Sequence, residues 1–284
     1  MFKERNNSNP GTLYLIPTPI GNLGDMTLRA IETMRSVDLL LTEDTRNTQK
    51  LLNHFDIKTP SRSYHKFSER KDIEPILNML LDGKSIALIS DAGMPGISDP
   101  GMMLVTCCHD EGIPVRVLPG PSAGITALVS SGFKIEGHLF VGFLPRKAKE
   151  LDEKIRELAG FGGAIIIYEA PHRVRELVSK LAEVMPDRKI HIAREMSKLF
   201  EEHIRGKISE VSEKISKIEP RGEYAIILGQ LPAPQKRQEL DKIKLRDFRR
   251  KCIEFGLSVK DSAALYSIAT GEKRSEIYKI MSRE

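Results

Sequence analysis

The sequence predicts an α/β protein in three parts: a parallel-sheet N-terminal domain, a mixed-sheet second domain and a small helical C-terminal domain. Three observations carry this. Strand-sized apolar runs alternate with helical patterns from residue 12 onward, which implies parallel βαβ units. Three of those runs end in loops rich in Gly and Pro. After residue 231 the alternation gives way to a proline-bearing linker and a short basic helical segment.

Taken in order, the first domain, 12–119, reads as strand 12–17, helix 26–35, strand 37–41, helix 45–54, helix 72–81, strand 85–89, helix 100–111 and strand 115–118. Asp25 or Thr27 can cap the first helix, and Pro100 suits the first position of helix 100–111. The second domain, 120–231, reads as helix 122–131, strand 139–143, helix 147–159, strand 164–168, helix 172–184, strands 190–194 and 200–205, helix 207–217 and strand 223–229. Its last strands abut without long helices between them, which predicts a mixed sheet. Residues 1–11 are polar and read as a disordered tail, not a signal peptide. Two prolines stiffen the linker Leu231-Pro232-Ala233-Pro234-Gln235. Helices Ile243–Phe255, Val259–Thr270 and Glu272–Met281 then fill 235–284, with Gly256 and Gly271 as stops. That unit is spaced like a helix-turn-helix module or a dimerising bundle.

The loops carry the chemistry. Thr18-Pro19-Ile20-Gly21-Asn22-Leu23-Gly24-Asp25, Ser90 through Gly101 and Pro119-Gly120-Pro121-Ser122-Ala123-Gly124 each follow a strand. In open α/β sheets ligands sit beyond the carboxyl ends of strands, so three such exits predict one composite pocket, opening near the junction of the two domains. None of the loops reads G-x-G-x-x-G or G-x-x-x-x-G-K-[ST], and they hold Asp25, Asp91 and Asp99 where a triphosphate would need cations. The expected ligand is neutral or cationic, with little phosphate.

Composition narrows the class further. The 284 residues are 40% hydrophobic and 29% charged, and no apolar run approaches the ~18 residues of a membrane span, so a cytoplasmic protein is expected. Cys107, Cys108 and Cys252 make neither a disulfide framework nor a metal site, and no metal is expected. The net charge of +5 is concentrated: residues 232–284 hold 13 Lys/Arg against 8 Asp/Glu, while the first 231 residues are balanced. A basic appendage on a neutral body points to a polyanionic partner.

Six ordered motifs then stand out: Thr18 to Leu23, Glu43-Asp44-Thr45-Arg46, Ser90 to Gly101, Pro119 to Ser122, Tyr168-Glu169-Ala170-Pro171-His172-Arg173 and Arg221-Gly222-Glu223-Tyr224. Together they resemble the ribosomal RNA small subunit methyltransferase I family of the tetrapyrrole methylase superfamily. The resemblance implies 2'-O-methylation of a cytidine in the decoding region of 16S rRNA, S-adenosyl-L-methionine as cofactor, the small ribosomal subunit as partner and a homodimer. It places the cofactor between two α/β domains, at Pro19, Asp91, Gly93, Met94, Ser122, Ala123, Tyr168, Ala193, Met196 and Ala225. One departure is Ser63-Tyr64-His65-Lys66-Phe67-Ser68-Glu69, where the family commonly shows His-Glu-His-Asn-Glu after the Ser-Tyr pair.

Methyl transfer to a ribose hydroxyl needs a proton acceptor, and His65, Glu69, Glu43, Asp44 and Glu195 are the candidates. Arg46, Arg173 and Lys198 are candidates to hold RNA phosphate or polarise the nucleophile, and Lys236, Arg237, Arg246, Arg249, Arg250 and Lys251 of the tail are candidates to hold RNA phosphate. Two other readings share parts of the pattern. A tetrapyrrole C-methyltransferase would use the pocket but not the tail, and a non-enzymatic nucleic-acid regulator would use the tail but not the pocket.

Overall fold

A computed structural model of the chain describes residues 9–65, 69–231, 242–270 and 272–282. The chain divides into two compact units, Met1–Leu231 and Pro232–Glu284. The first contains two five-stranded sheets.

The first sheet is wholly parallel, in the order β3-β2-β4-β1-β5, from β1 Leu13–Ile16, β2 Leu39–Thr42, β3 Ser61–Ser63, β4 Ile86–Ile89 and β5 Val115–Val117. Strand β4 is buried along its whole length, because helices cover both faces. On one face α1 (Leu28–Ser36) and α2 (Thr45–His54) pack Met34 and Leu52 against Ile16, Leu40 and Ala87. On the other, α3 (Glu69–Leu81) and α4 (Met102–Asp110) pack Ile76, Leu80, Leu104 and Cys108 against Leu13, Leu41 and Leu88. Strands β1 and β4 are neighbours, yet the chain leaves them toward opposite faces and opposite edges of the sheet. That divergence opens a crevice at their carboxyl ends.

Two local expectations change and one open choice is decided. Strand β3 is unmarked in the sequence because it is a three-residue polar edge strand with no apolar run. Helix α4 begins at Met102 and not at Pro100: Gly101 is its N-cap at φ 128°, where a Cβ would stand 2.3 Å from Leu88 Cδ2. Of the two cap candidates for α1, Thr27 is the one used, its hydroxyl accepting the Ala30 amide at 3.1 Å.

The second sheet runs β6-β7-β10-β8-β9, built from β6 His138–Phe143, β7 Ala164–Glu169, β8 Lys189–Arg194, β9 Glu202–Lys207 and β10 Tyr224–Leu228. Only β6 and β7 are parallel; the other pairs are antiparallel. Helices α6 (Ala148–Ala159), α7 (Val174–Val184) and α8 (Ile208–Lys217) bury one face around Ile165, Ile167, Ile190, Ile192 and Ile226. The other face receives α5 (Ala123–Ser130), whose Ala127 and Leu128 pack on Ile166, Ala193, Ala225 and Ile227. Eight helical residues leave the β7, β8 and β10 ends nearest the first sheet for a ligand.

In the second unit, α9 (Lys242–Glu254), α10 (Val259–Thr270) and α11 (Arg274–Ser282) share a small core of Leu245, Ala263, Ile277 and Met281. Phe248 and Tyr266 meet edge to face at 5.1 Å. Among the described residues no helix is long and apolar enough to cross a membrane.

Candidate active site

The exits of β1 and β4 are clasped together. Thr18 and Gly93 exchange both backbone hydrogen bonds at 3.0 Å, the Thr18 hydroxyl donates to the Ser90 carbonyl at 3.0 Å, and the Ser90 hydroxyl donates to the Gly93 carbonyl at 2.7 Å. Gly93 adopts φ +81°, a conformation that side chains disfavour, and a Cβ there would stand 3.4 Å from Ile20 Cγ2. The β5 exit closes on the same point, with Gly120 so near Pro17 that a Cβ would come within 2.9 Å.

Between this clasp and the second sheet lies a cavity of about 390 Å³. Its walls bring together eight of the ten expected cofactor residues: Asp91, Gly93, Met94, Ser122, Ala123, Tyr168, Met196 and Ala225. The other two sit elsewhere. Pro19 lines an adjacent cavity of about 250 Å³ that shares Asp91 with the first. Ala193 pairs with Ala225 across the sheet but is fully buried beneath α5 and does not reach the wall. The Tyr168 hydroxyl accepts the Gly124 amide at 2.8 Å, fixing the start of α5 against the sheet.

The cavity wall is largely apolar, and its charged groups are mostly acidic. Asp91, Asp99, Glu195 and Glu223 line it, the Glu169 side chain is buried behind it, and among the described residues its one lysine, Lys198, holds Glu195 at 2.8 Å. That ion pair, first through the Lys198 hydrogen bond, keeps Glu195 below the usual carboxylate range. Gly222 makes room for it, since a Cβ there would lie 2.0 Å from Glu195 Oε1. Asp99 behaves oppositely: burial, then Glu43, Asp91 and Glu223, push its carboxyl up to about 7. Burial also raises Glu169, although the Ala170 amide (2.8 Å) and Arg173 (3.4 Å) lean on its Oε1; its Oε2 is buried without a partner.

The expected proton acceptors are scattered. His65 sits at the β3 exit beside Ser63 and does not line the cavity. Glu69 opens α3, and its side chain falls outside the described residues. Asp44 is the N-cap of α2, accepting the Arg46 amide at 2.8 Å, while its own amide donates to Asp91 Oδ1 at 3.1 Å. Glu43 approaches Asp99 closely enough to raise its proton affinity without lining the cavity. Only Glu195 lines it, locked to Lys198.

Of the phosphate candidates, Arg46 is exposed at the start of α2. Arg173 is committed to the fold, donating to the Pro145 carbonyl at 2.9 Å and pairing with Glu169. Arg246, Arg249, Arg250 and Lys251 lie on α9, which buries Leu245 and Cys252, with Arg250 beside Asp247 at 3.4 Å. Lys236 and Arg237 lie outside the described residues. Among the described residues no three His, Cys, Asp or Glu side chains gather as metal ligands. Cys108, buried and beside Cys107, has its thiol pushed up to about 12 and is inert.

A doubly wound domain joined to a mixed sheet, with an acidic cavity at the strand exits, is the architecture of a methylase class. Residues 12–212 match the family described as Tetrapyrrole (Corrin/Porphyrin) Methylases. The Ribosomal RNA small subunit methyltransferase I of Streptococcus pyogenes serotype M1 is 40% identical over 278 residues, spanning 98% of this chain and 96% of that protein. The protein of the same name from Bacillus subtilis (strain 168) is 47% identical over 221 residues, 78% of this chain and 76% of its own. The chain belongs to the tetrapyrrole methylase family and, within it, to the ribosomal RNA small subunit methyltransferase I family, and is a methyltransferase. Among solved structures, a cobalt precorrin-4 methyltransferase of cobalamin biosynthesis superposes with a TM-score of 0.59 at 14% identity, over 77% of this chain and 94% of that one. A uroporphyrin-III C-methyl transferase from Thermus thermophilus, complexed with S-adenyl homocysteine, gives 0.54 at 18% identity, over 77% and 97%. At such identity these two share the fold.

Proposed function

We propose that the chain methylates the ribose 2'-oxygen of a cytidine in the decoding region of small-subunit rRNA, with S-adenosylmethionine as donor. One observation carries the cofactor reading: a cavity at three strand exits, largely apolar, with the carboxylates Asp91, Asp99, Glu195 and Glu223 at its wall and its lysine, Lys198, already paired. Such a lining suits a sulfonium cation and disfavours a phosphate group. The bound cofactor supplies a methyl group on positively charged sulfur. Asp91, Gly93, Met94, Ser122 and Ala123 hold it from the loops and the start of α5, and Tyr168, Ala225 and Met196 from the second sheet and the turn after β8. Holding two reactants in line contributes roughly 7–11 kcal/mol toward such a displacement.

The substrate reading is supported by the relatives' names and by the basic tail, which a small-molecule C-methyltransferase has no use for. In this reading segments 12–119 and 120–231 act as two domains around the cofactor, and 235–284 binds RNA. Work on ribosomal subunits belongs to the cytoplasm. A homodimer fits the exposed Leu199 (89%) and Phe200 (77%), which follow closely on Ser197, itself hydrogen-bonded to Asp25. Incubation with radiolabelled cofactor and unmethylated small subunits, followed by mass spectrometry of digested rRNA, tests the reaction. Label on a ribose supports it; label on a base, or none, overturns it. Light scattering tests the dimer.

A further inference from the structure

We propose that Asp99 is the general base of the reaction, taking the proton of the ribose hydroxyl; the inference rests on the methyl-transfer reading above. Asp99 lines the cavity between the β4 exit and the second sheet. Its backbone is held by two unusual neighbours, Ser98 at φ 70° and Gly101 at φ 128°. A non-glycine residue at positive φ stores strain that persists where the surroundings enforce it, and such strain gathers at functional sites.

Three of the other acids at or behind the cavity wall have engagements that Asp99 lacks. Asp91 accepts the Asp44 amide, Glu195 is paired with Lys198, and Glu169 is held by Ala170 and Arg173. Glu223 is exposed. Among the described residues no lysine, arginine or histidine pairs with Asp99. Instead it faces Glu43 from the β2 exit, Asp91 from its own loop, Glu223 from the approach to β10, and the Tyr168 phenol on β7. These neighbours and partial burial hold its proton affinity near neutrality, where a general base is most effective.

The step balances. The O2'–H bond breaks toward an Asp99 carboxylate oxygen as the bond from O2' to the methyl carbon forms. The carbon's bond to sulfur breaks with its electron pair left on sulfur. One negative and one positive charge become a neutral acid and a neutral thioether, so the cavity keeps its net charge, and the proton later passes to water. A cation in the cavity favours ionised Asp99 before the step. Once that cation is neutralised, the protonated form is the stable one.

The test uses the full chain and two variants, Asp99→Asn and Asp99→Glu. Carbon-13 NMR of aspartate carboxyls should show one group in the wild type titrating near 7, absent from Asp99→Asn and shifted lower by S-adenosylmethionine but less by S-adenosylhomocysteine. Calorimetry should give Asp99→Asn an S-adenosylhomocysteine affinity within about threefold of wild type. Its single-turnover methylation of small subunits should fall by about 10²–10⁴, with KM little changed, and the rise of rate with pH should flatten. Asp99→Glu should regain part of the rate. If Asp99→Asn keeps a rate within about tenfold of wild type, or keeps the pH slope, Asp99 is not the base. If the wild type neither binds S-adenosylhomocysteine nor labels rRNA, the methyl-transfer reading falls first.

Discussion

The backbone amide of Asp44 donates to Asp91 Oδ1 at 3.1 Å while the Asp44 carboxylate caps α2, so one pair of residues joins the β2 exit to the β4 exit. Asp91 thereby shapes the cavity wall as well as contributing charge. Asp91→Ala should loosen this junction and weaken S-adenosylhomocysteine binding by about 1 kcal/mol, close to the net value of one hydrogen bond. Calorimetry checks it. Asp91→Asn keeps an acceptor for the Asp44 amide and should lose less.

Gly93 poses a stricter requirement. At φ +81° a branched side chain is strained, and it meets Ile20, a residue of the cavity wall, and the Pro121 carbonyl. Gly93→Val should lose measurable cofactor binding yet stay folded at a cost of about 1–3 kcal/mol. Circular dichroism and calorimetry on one sample separate the two effects. Retained affinity would place the pocket elsewhere.

Two groups of the first unit give opposite pH dependences of stability. Asp99, raised to about 7 in the fold, favours folding when protonated. Its contribution is complete below its unfolded value of 3.8 and is lost as pH rises toward 7. His191, buried beside His203 and Ser130, is lowered to about 4, first by burial and then by the His203 and Arg205 charges. Its contribution is present above 6.5 and is lost as pH falls toward 4. Asp99→Asn should therefore raise Tm at about pH 8 and leave it unchanged below about pH 3.5. Melting curves from acid to mildly alkaline pH decide it.

Arg188 is an unannounced keystone. Buried, it donates to the carbonyls of Gly229 (2.7 Å), Leu158 (3.2 Å), Phe161 (3.1 Å) and Gly163 (2.7 Å), closing the bottom of the second sheet. Arg188→Leu would remove the shared donor from four carbonyls, of which Leu158 keeps the Phe161 amide, and should cost about 3 kcal/mol or more, read from denaturant unfolding.

Much of this was legible in the sequence because the strands that matter are apolar and the loops that matter are written in Gly and Pro. Helix Val259–Thr270 and the α2 span 45–54 follow directly from local signals. What stayed hidden depends on distance along the chain. Strand β3 exists because β2 offers it an edge, and Ala193 lies under α5 although its cross-strand partner Ala225 reaches the cavity. The proton affinity of Asp99 is set by burial and by Glu43 and Glu223, which only the folded chain brings near it. Arg188 looks like any surface arginine until its four carbonyls are assembled.

The tail gives the last prediction. Residues 232–284 carry the charge excess, and α9 sets Leu245 and Cys252 inward while Arg246, Arg250 and Lys251 are exposed. The Leu231 amide donates to the Gly162 carbonyl at 2.9 Å, so a chain ending at Leu231 keeps the last bond of the first unit. It should bind S-adenosylhomocysteine as the full chain does, since every residue lining the cavity precedes the cut. It should also need far more ribosomal substrate to reach the same rate. For every phosphate that the tail no longer neutralises, the slope of log affinity against log salt should flatten by about 0.7–0.9. The measurement is rRNA affinity across a salt series, for the full chain, the truncation and the triple variant Arg246→Ala, Arg250→Ala, Lys251→Ala. Unchanged slopes would make α9 a structural or dimerising helix whose charge merely faces water.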